Sequence, residues 1–406
     1  MNKKLSMAVA GAVMAFGASA ANAGIIIPAG DWTVDIGGNV NAYYTHTKFS
    51  GDIESGTSGA FTNKSANTVQ TGLLPSALGI GAKTRQNDLD IAFQFTFFTG
   101  SDSGGQGSGG NNSLNIRQAY LTFGDKSWGT VKAGRDLGIF ASDAILSDMT
   151  LLGVGSGAGH NGTSTLGRIG SGYMYADWVG QISYTSPNWD GFSFAGGLRQ
   201  GWTGGGVGSD QTNSNLGYEG KASYEWTGDY AGKVWVGGIT QKHEGTAVFD
   251  SYTSRGIDLG GKVSLAGFGL VGYYYDGKGL SGNGNTNTGS AGLNGNNIIL
   301  NGFNFLGSNG KTDDKGGYVQ GTYIVPGVGT KLGASYGVSK SDADVGNNNF
   351  KNSSWIIGAY HPLTKSLNLV AEYTVNKIEG TNANGTGTDN LDGKAKTISL
   401  GAILFF

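Results

Sequence analysis

The chain has 406 residues, among them 76 glycines, five prolines and no cysteine, with 38% hydrophobic, 11% aromatic and 14% charged residues and a formal charge of −2. Near-neutral charge excludes a polybasic nucleic-acid binder, and the missing thiols exclude disulfides, thiolate metal sites and cysteine nucleophiles. Glycine far above ordinary usage with little proline excludes collagen, the aromatics argue against disorder, and the low apolar fraction does not suit several dry cores.

The amino end reads as an export signal. MNKK supplies positive charge, Leu5 to Phe16 form a short apolar run, and GASAANA ends in an Ala-x-Ala pattern at Ala21 and Ala23. This predicts cleavage after Ala23. The run is too short to cross about 30 Å of hydrocarbon as a helix, which argues against a membrane anchor. The expected mature chain, 24–406, is one domain with a charge of 25 − 29 = −4.

From there on the dominant period is two, not 3.6. Trp32, Val34, Ile36, Val40, Ala42 and Tyr44 open the pattern. Leu89, Ile91, Phe93, Phe95 and Phe97 repeat it, then Leu216, Tyr218, Ala222, Tyr224 and Trp226. Leu367, Leu369, Ala371, Tyr373 and Val375 follow, and Ile398, Leu400, Ala402, Leu404 and Phe406 end the chain. About sixteen strands are predicted, over 31–47, 70–83, 88–99, 114–124, 129–136, 172–186, 191–200, 215–227, 231–241, 253–266, 268–276, 315–325, 328–339, 353–361, 366–377 and 394–406. Short connections such as GDKSW, PNWDG and PLTKS alternate with long ones rich in Gly, Asn and Ser. Within the long connection 277–314, NNIILNGFNFLG has the pattern of a further hairpin and leaves the count open between 16 and 18.

Alternating strands, even in number, with short turns at one rim and long loops at the other, predict an all-β fold: a transmembrane antiparallel up-and-down β-barrel of the outer-membrane kind. A soluble β-solenoid is the competing reading, but no fixed repeat of about 20–50 residues is present. In hydrocarbon an unpaired amide costs several kcal/mol, so the sheet must close. A barrel of about sixteen strands is too wide for side chains to fill, so its interior holds water. Trp32, Tyr44, Trp226, Tyr323 and Tyr360, at strand ends, fit interfacial girdles. On polar faces, alternation alone marks Glu219, Lys221, Asp258, Lys262, Lys331 and Glu372 as lumen-facing, with Arg199 beside Ser193, Ala195 and Gly197.

The segment NIRQAYLTFGDKSWGTVKAGRDLGIFASDAILSDMTLLG, Asn115 to Gly153, and LGRIGSGYMYADW, Leu166 to Trp178, resemble the general trimeric porins of Gram-negative outer membranes. So does ISLGAILFF, the terminal strand ending at Phe406. The likeness in architecture covers the mature chain; the motifs lie within 115–178 and 398–406. It implies a long third loop folded into the lumen, with wall arginines Arg117, Arg168 and Arg135 opposed by loop acids Asp143 and Asp148. Opposed charges across a narrow aqueous gap would set a transverse field that selects solutes. The resemblance also implies a homotrimer in outer-membrane lipid and lipopolysaccharide, and an insertion machinery that reads the terminal strand through Phe406. One departure is Ala77 in Ser76-Ala77-Leu78-Gly79, where such porins often carry an arginine; with only six arginines in all, this favours a weakly selective pore.

No catalytic set, metal site or cofactor is expected. His46, His160, His243 and His361 are scattered without ligand spacing. His160 with Ser156 and Asp148 reads as a polar loop rather than a hydrolase triad. The glycines from Gly153 to Gly157 do not join an apolar strand to a helix, so they are not a phosphate cradle. The expected function is passive diffusion of small hydrophilic solutes and ions. The alternatives are a substrate-selective channel and a surface adhesive or structural barrel.

Overall fold

The structure is a computed structural model describing residues 24–52, 64–100, 114–156, 164–201, 215–245, 250–280, 312–343, 349–381 and 390–406. The predicted signal segment, His160 and most of 277–314 lie outside the described residues.

The strands are β1 (Ile25–Ala29), β2 (Trp32–Gly51), β3 (Ser65–Gln70), β4 (Ser76–Gln86), β5 (Leu89–Thr99), β6 (Asn115–Asp125), β7 (Gly129–Leu137), β8 (Trp178–Thr185) and β9 (Phe192–Arg199). They continue as β10 (Gly217–Trp226), β11 (Tyr230–His243), β12 (Tyr252–Leu265), β13 (Phe268–Lys278), β14 (Thr312–Ile324), β15 (Lys331–Ala343), β16 (Asn349–Pro362), β17 (Leu367–Thr381) and β18 (Asn390–Phe405). Sixteen of them, β2 and β4 to β18, form a closed antiparallel up-and-down barrel. The seam is β18 on β2, from Gly393 opposite Gly51 to Phe405 opposite Asn39. Closure leaves no sheet edge to hydrocarbon.

The two extra strands complete the long β2. Its lower part, Trp32 to Ile36, lies beyond the end of β18 and is paired instead by β1, Ile25 opposite Ile36. On its other side β4 covers Thr33 to Asn39 and β3 covers Tyr43 to Lys48. In place of the single strand expected over 70–83, the ladder breaks at 71–75. Pro75 has no N–H to give it, and the freed backbone has other partners. Gly72 donates to Asn41 Oδ1 at 2.9 Å, Asn41 Nδ2 donates to the Leu74 carbonyl at 2.9 Å, and Leu73 donates to the Gly153 carbonyl at 2.8 Å.

The short turns follow from backbone chemistry. Asn87 and Asp88 join β4 to β5 with φ of 48° and 64°, and Ala266 and Gly267 join β12 to β13 with 48° and 85°. Two successive positive φ values match the right-handed twist of the flanking strands. In the up-and-down order these turns share one rim, and the strand ends that lead into the long connections share the other.

Alternation sorts the side chains by face. Val236, Ile257, Leu259, Val319, Ile357 and Leu400 are exposed on the outer surface, whereas Gln241, Asp258, Ser335, Ser354, Thr374 and Thr397 are buried. An apolar exterior over a polar interior inverts a soluble protein and suits a lipid solvent. Tyr360 departs from the girdle expected for it. It is out of step with the exposed Trp355 and Ile357, so it points inward, where it is buried and bonds Glu372.

Candidate functional site

The β7–β8 connection, 138–177, carries a short helix α1 (Ser142–Leu146) and a 3₁₀ turn (Met149–Leu152). Short helical pieces leave N–H groups without partners, and the barrel strands supply acceptors. Glu219 Oε2 on β10 accepts from Phe140 N at 2.6 Å, and Asp258 Oδ2 on β12 accepts from Ala141 N at 3.0 Å. Gln320 on β14 accepts from Met149 N at 2.7 Å and donates to the Ser147 carbonyl at 3.0 Å. Glu372 Oε2 on β17 accepts from Val154 N at 2.8 Å and Gly155 N at 2.7 Å, while its other oxygen accepts from Tyr360 at 2.7 Å. Tyr318 donates to the Ala144 carbonyl at 2.8 Å and Tyr43 to the Leu152 carbonyl at 2.7 Å. Gly153 permits this approach: a Cβ there would lie 2.1 Å from Glu372 Oε1. Apolar packing accompanies the bonds. Phe140, Met149, Leu152, Val154 and Tyr173 share one buried cluster with Tyr43, Trp235, Tyr273, Tyr318 and Ile356 of the strands.

Asp143 and Asp148 have different surroundings. Asp143 is gripped by Lys221 at 2.6 Å and Lys233 at 2.5 Å. Burial works against its charge, but the two lysines overcome that and hold its carboxyl at about 2. Asp148 is an internal brace: it accepts from Thr150 N at 2.9 Å and from the Tyr173 hydroxyl at 2.7 Å, and is buried.

The three arginines expected on one wall do not stand together. Arg168 is fully buried, with Nε bonded to Ser335 at 3.0 Å and Nη1 to Ser354 at 2.8 Å, on β15 and β16. Arg117 is the extra residue of a β-bulge, because Thr96 pairs with Gln118 while Phe97 pairs with Ile116. The bulge resolves the mixed parity of β6: Ile116, Leu121 and Phe123 are exposed outside, Gln118 and Tyr120 are buried inside, and Arg117 lies 5.0 Å over the ring of buried Phe98. Arg135 is off the inner wall predicted for it. It is exposed, shares parity with Val131 and Ala133, and pairs with Ala119 and Gly180, whose rows carry Leu121 and Ile182 outward. The inner row of β7 instead holds Lys132 and Asp136, which form an ion pair; Gln118 also donates to Asp136 at 2.8 Å. Burial pushes the Asp177 carboxyl up, opposed by the backbone N–H of Trp178 and by the charges of Arg199, Arg135 and Arg117.

Arg199 and Glu219 form a buried pair at 2.9 Å. Lys262 lies on the row of Asp258 and is opposite Lys233 in the ladder. Lys331 lies 5.0 Å over the Tyr360 ring. Phe406 exchanges two backbone bonds with Gly38, at 2.9 and 3.1 Å. Sequence reading does not single out Lys233, Lys132, Asp136, Tyr273, Tyr318 and Gln320, although all but Tyr273 fall on the polar parity of their strands; Tyr273 shares its row with Val271 and Tyr275. Among the described residues no group of three metal-ligating side chains occurs, and His46, His243 and His361 bond Asn67, Ser254 and Thr330 at separate places.

A family model described as Gram-negative porin matches residues 8–381. No curated protein matches the sequence. Among solved structures, the fold is similar to the anion-selective porin from Comamonas acidovorans, 15% identical, TM-score 0.61, covering 92% of this chain and 100% of that one. It is similar to Salmonella typhi OmpF in complex with daunomycin, 18% identical, TM-score 0.60, covering 94% and 100%. It is also similar to in-vitro folded OmpT of Vibrio cholerae in a trimer form, 15% identical, TM-score 0.54, covering 92% and 99%. With a family match over most of its length and a closed barrel of sixteen strands, oily outside and polar within, the chain belongs to the Gram-negative porins and forms an outer-membrane channel.

Proposed function

We propose that this channel passes small hydrophilic solutes and ions by passive diffusion, without chemistry or energy input. On this reading the 138–177 connection folds into the lumen and narrows it, and solutes pass between that segment and the part of the wall it leaves free. The observation that carries the reading is the set of bonds from its backbone to Glu219, Asp258, Gln320 and Glu372, on strands distributed around the barrel. Asp143 with Lys221, and Arg117 with Lys132, are the charges placed at the narrowing; Arg168 and Asp148 act as internal braces. The substrate-selective alternative needs an accessible aromatic or arginine track. Trp235, Tyr273 and Tyr318 do form an aromatic run, with ring centres 6.5 and 6.0 Å apart, but all three are buried against the segment. Planar-bilayer recording with uncharged solutes of graded size tests the proposal. A large ohmic step with a size cut-off is expected, and saturable block by one solute would replace diffusion with selective transport.

The assembled form on this reading is a homotrimer with one pore per protomer, in lipid and lipopolysaccharide, exported by a signal cleaved near Ala23. The insertion machinery reads the terminal strand ending at Phe406. Deleting Phe406 is expected to lower the yield of heat-modifiable trimer in outer membranes; a normal yield would remove the assembly role.

A further inference from the structure

Burial divides the interior charges unevenly. Three interior acids are turned into protein. Glu219, Asp258 and Glu372 accept backbone N–H groups of the 138–177 segment, and each is buried. In the interior lysine–aspartate pairs the base is the more exposed partner, while Arg199 and Glu219 are buried alike. Lys132 shows 20% of its side chain against 6% for Asp136, and Lys221 and Lys233 show 23% and 17% against 9% for Asp143. Lys262 is exposed on the same inner wall, beside Lys233 in the ladder, with no partner among the described residues. Glu225 is exposed opposite Lys233 and offsets one charge of this stretch of wall, which carries Lys221, Lys233 and Lys262. A carboxylate bonded to backbone donors has its charge balanced locally by their dipoles, whereas an ammonium facing water acts on ions within a Debye length of about 8 Å. The ions in the passage therefore meet mainly cationic surface, although the whole chain is net negative.

We infer that this channel prefers small anions, inorganic or carboxylate, over cations, and that Lys221, Lys233 and Lys262 on the adjacent strands β10, β11 and β12 form the attracting wall. The inference rests on the diffusion-channel reading above and names the solute class it favours.

Reversal potentials across a bilayer in a KCl gradient test it, using heat-modifiable protein purified in detergent. The unmodified channel should pass chloride better than potassium. Lys262→Glu should lower the chloride-to-potassium permeability ratio about threefold or more, and Lys262→Gln by less, since the field in the gap follows the local charge. Asp143→Asn should raise the ratio, because it frees two lysines. Absence of any conductance step would overturn the channel reading itself. Conductance with potassium preference in the unmodified protein would overturn only the anion inference. An unchanged ratio in both Lys262→Gln and Asp143→Asn would remove the lysine wall, and if Lys262→Glu does not assemble, those two variants decide.

Discussion

At the scale of single residues, the interior is held by side chains whose bonding capacity matches their place. Arg168 uses the planar fork of its guanidinium to reach Ser335 and Ser354 on two strands at once. Lysine offers one point of attachment in place of that fork. Arg168→Lys should therefore leave a buried hydroxyl without its donor and destabilise the barrel by roughly 2 kcal/mol. The midpoint temperature for loss of the fast-migrating folded band on gels checks this. Asp143 carries a pH dependence whose sign is fixed by its partners. Its folded value of about 2 lies below the ordinary 3.8, so its contribution is complete above the ordinary value and is lost as pH falls toward about 2. That contribution is on the order of 2 kcal/mol at neutral pH, from the size of the shift. The thermal midpoint of the native protein should fall more between pH 5 and pH 2.5 than that of Asp143→Asn, and parallel curves would contradict the ion-pair account.

At the scale of elements, the 138–177 connection is fastened at intervals. Acceptors on β10, β12, β14 and β17 each take one or two of its N–H groups. Glu372 is the strongest of these fastenings, because one carboxylate serves two consecutive N–H groups and a tyrosine. Glu372→Ala should leave Val154 N and Gly155 N unpaired in a buried setting, at a cost of about 1–3 kcal/mol per group. The barrel strands do not depend on these bonds. The expected outcome is a folded, heat-modifiable protein whose single-channel current is noisier and differs in amplitude, while Glu372→Gln stays closer to the native protein. Quiet, native-sized steps in Glu372→Ala would show that the segment does not rely on this bond. The break at 71–75 belongs to the same scale. Sequence alone read a continuous strand there because the polar contacts that compete with the ladder come from residues such as Gly153, far along the chain.

At the scale of the whole molecule, the lipid outside and the water inside impose opposite rules on neighbouring residues. Leu259 is exposed on the outer face near the middle of β12, and Asp258 beside it is buried within. Leu259→Arg should cost about 2–4 kcal/mol if the position lies near the bilayer midplane. Its yield and thermal midpoint in outer membranes should drop, whereas Lys262→Gln on the inner face of the same strand should leave both near native. Equal losses in the two variants would place lipid on the wrong face.

The sequence by itself determined the class of fold, a count of about sixteen strands and the face to which most strands turn, because a period of two is a local property that a closed sheet in lipid must obey. The inner rows containing Glu219, Lys221, Asp258, Lys262 and Glu372 were legible for that reason. Sequence also left open what only tertiary structure decided: which of those charges still meet water. Arg117 needed a bulge to turn inward, Arg135 stayed on the outer parity, and Arg168 and Asp148 were absorbed as braces. A side chain's parity is set by its own strand, but its burial is set by the segment that comes to lie over it. For this chain that segment is joined to the wall by bonds spanning up to 218 residues of sequence.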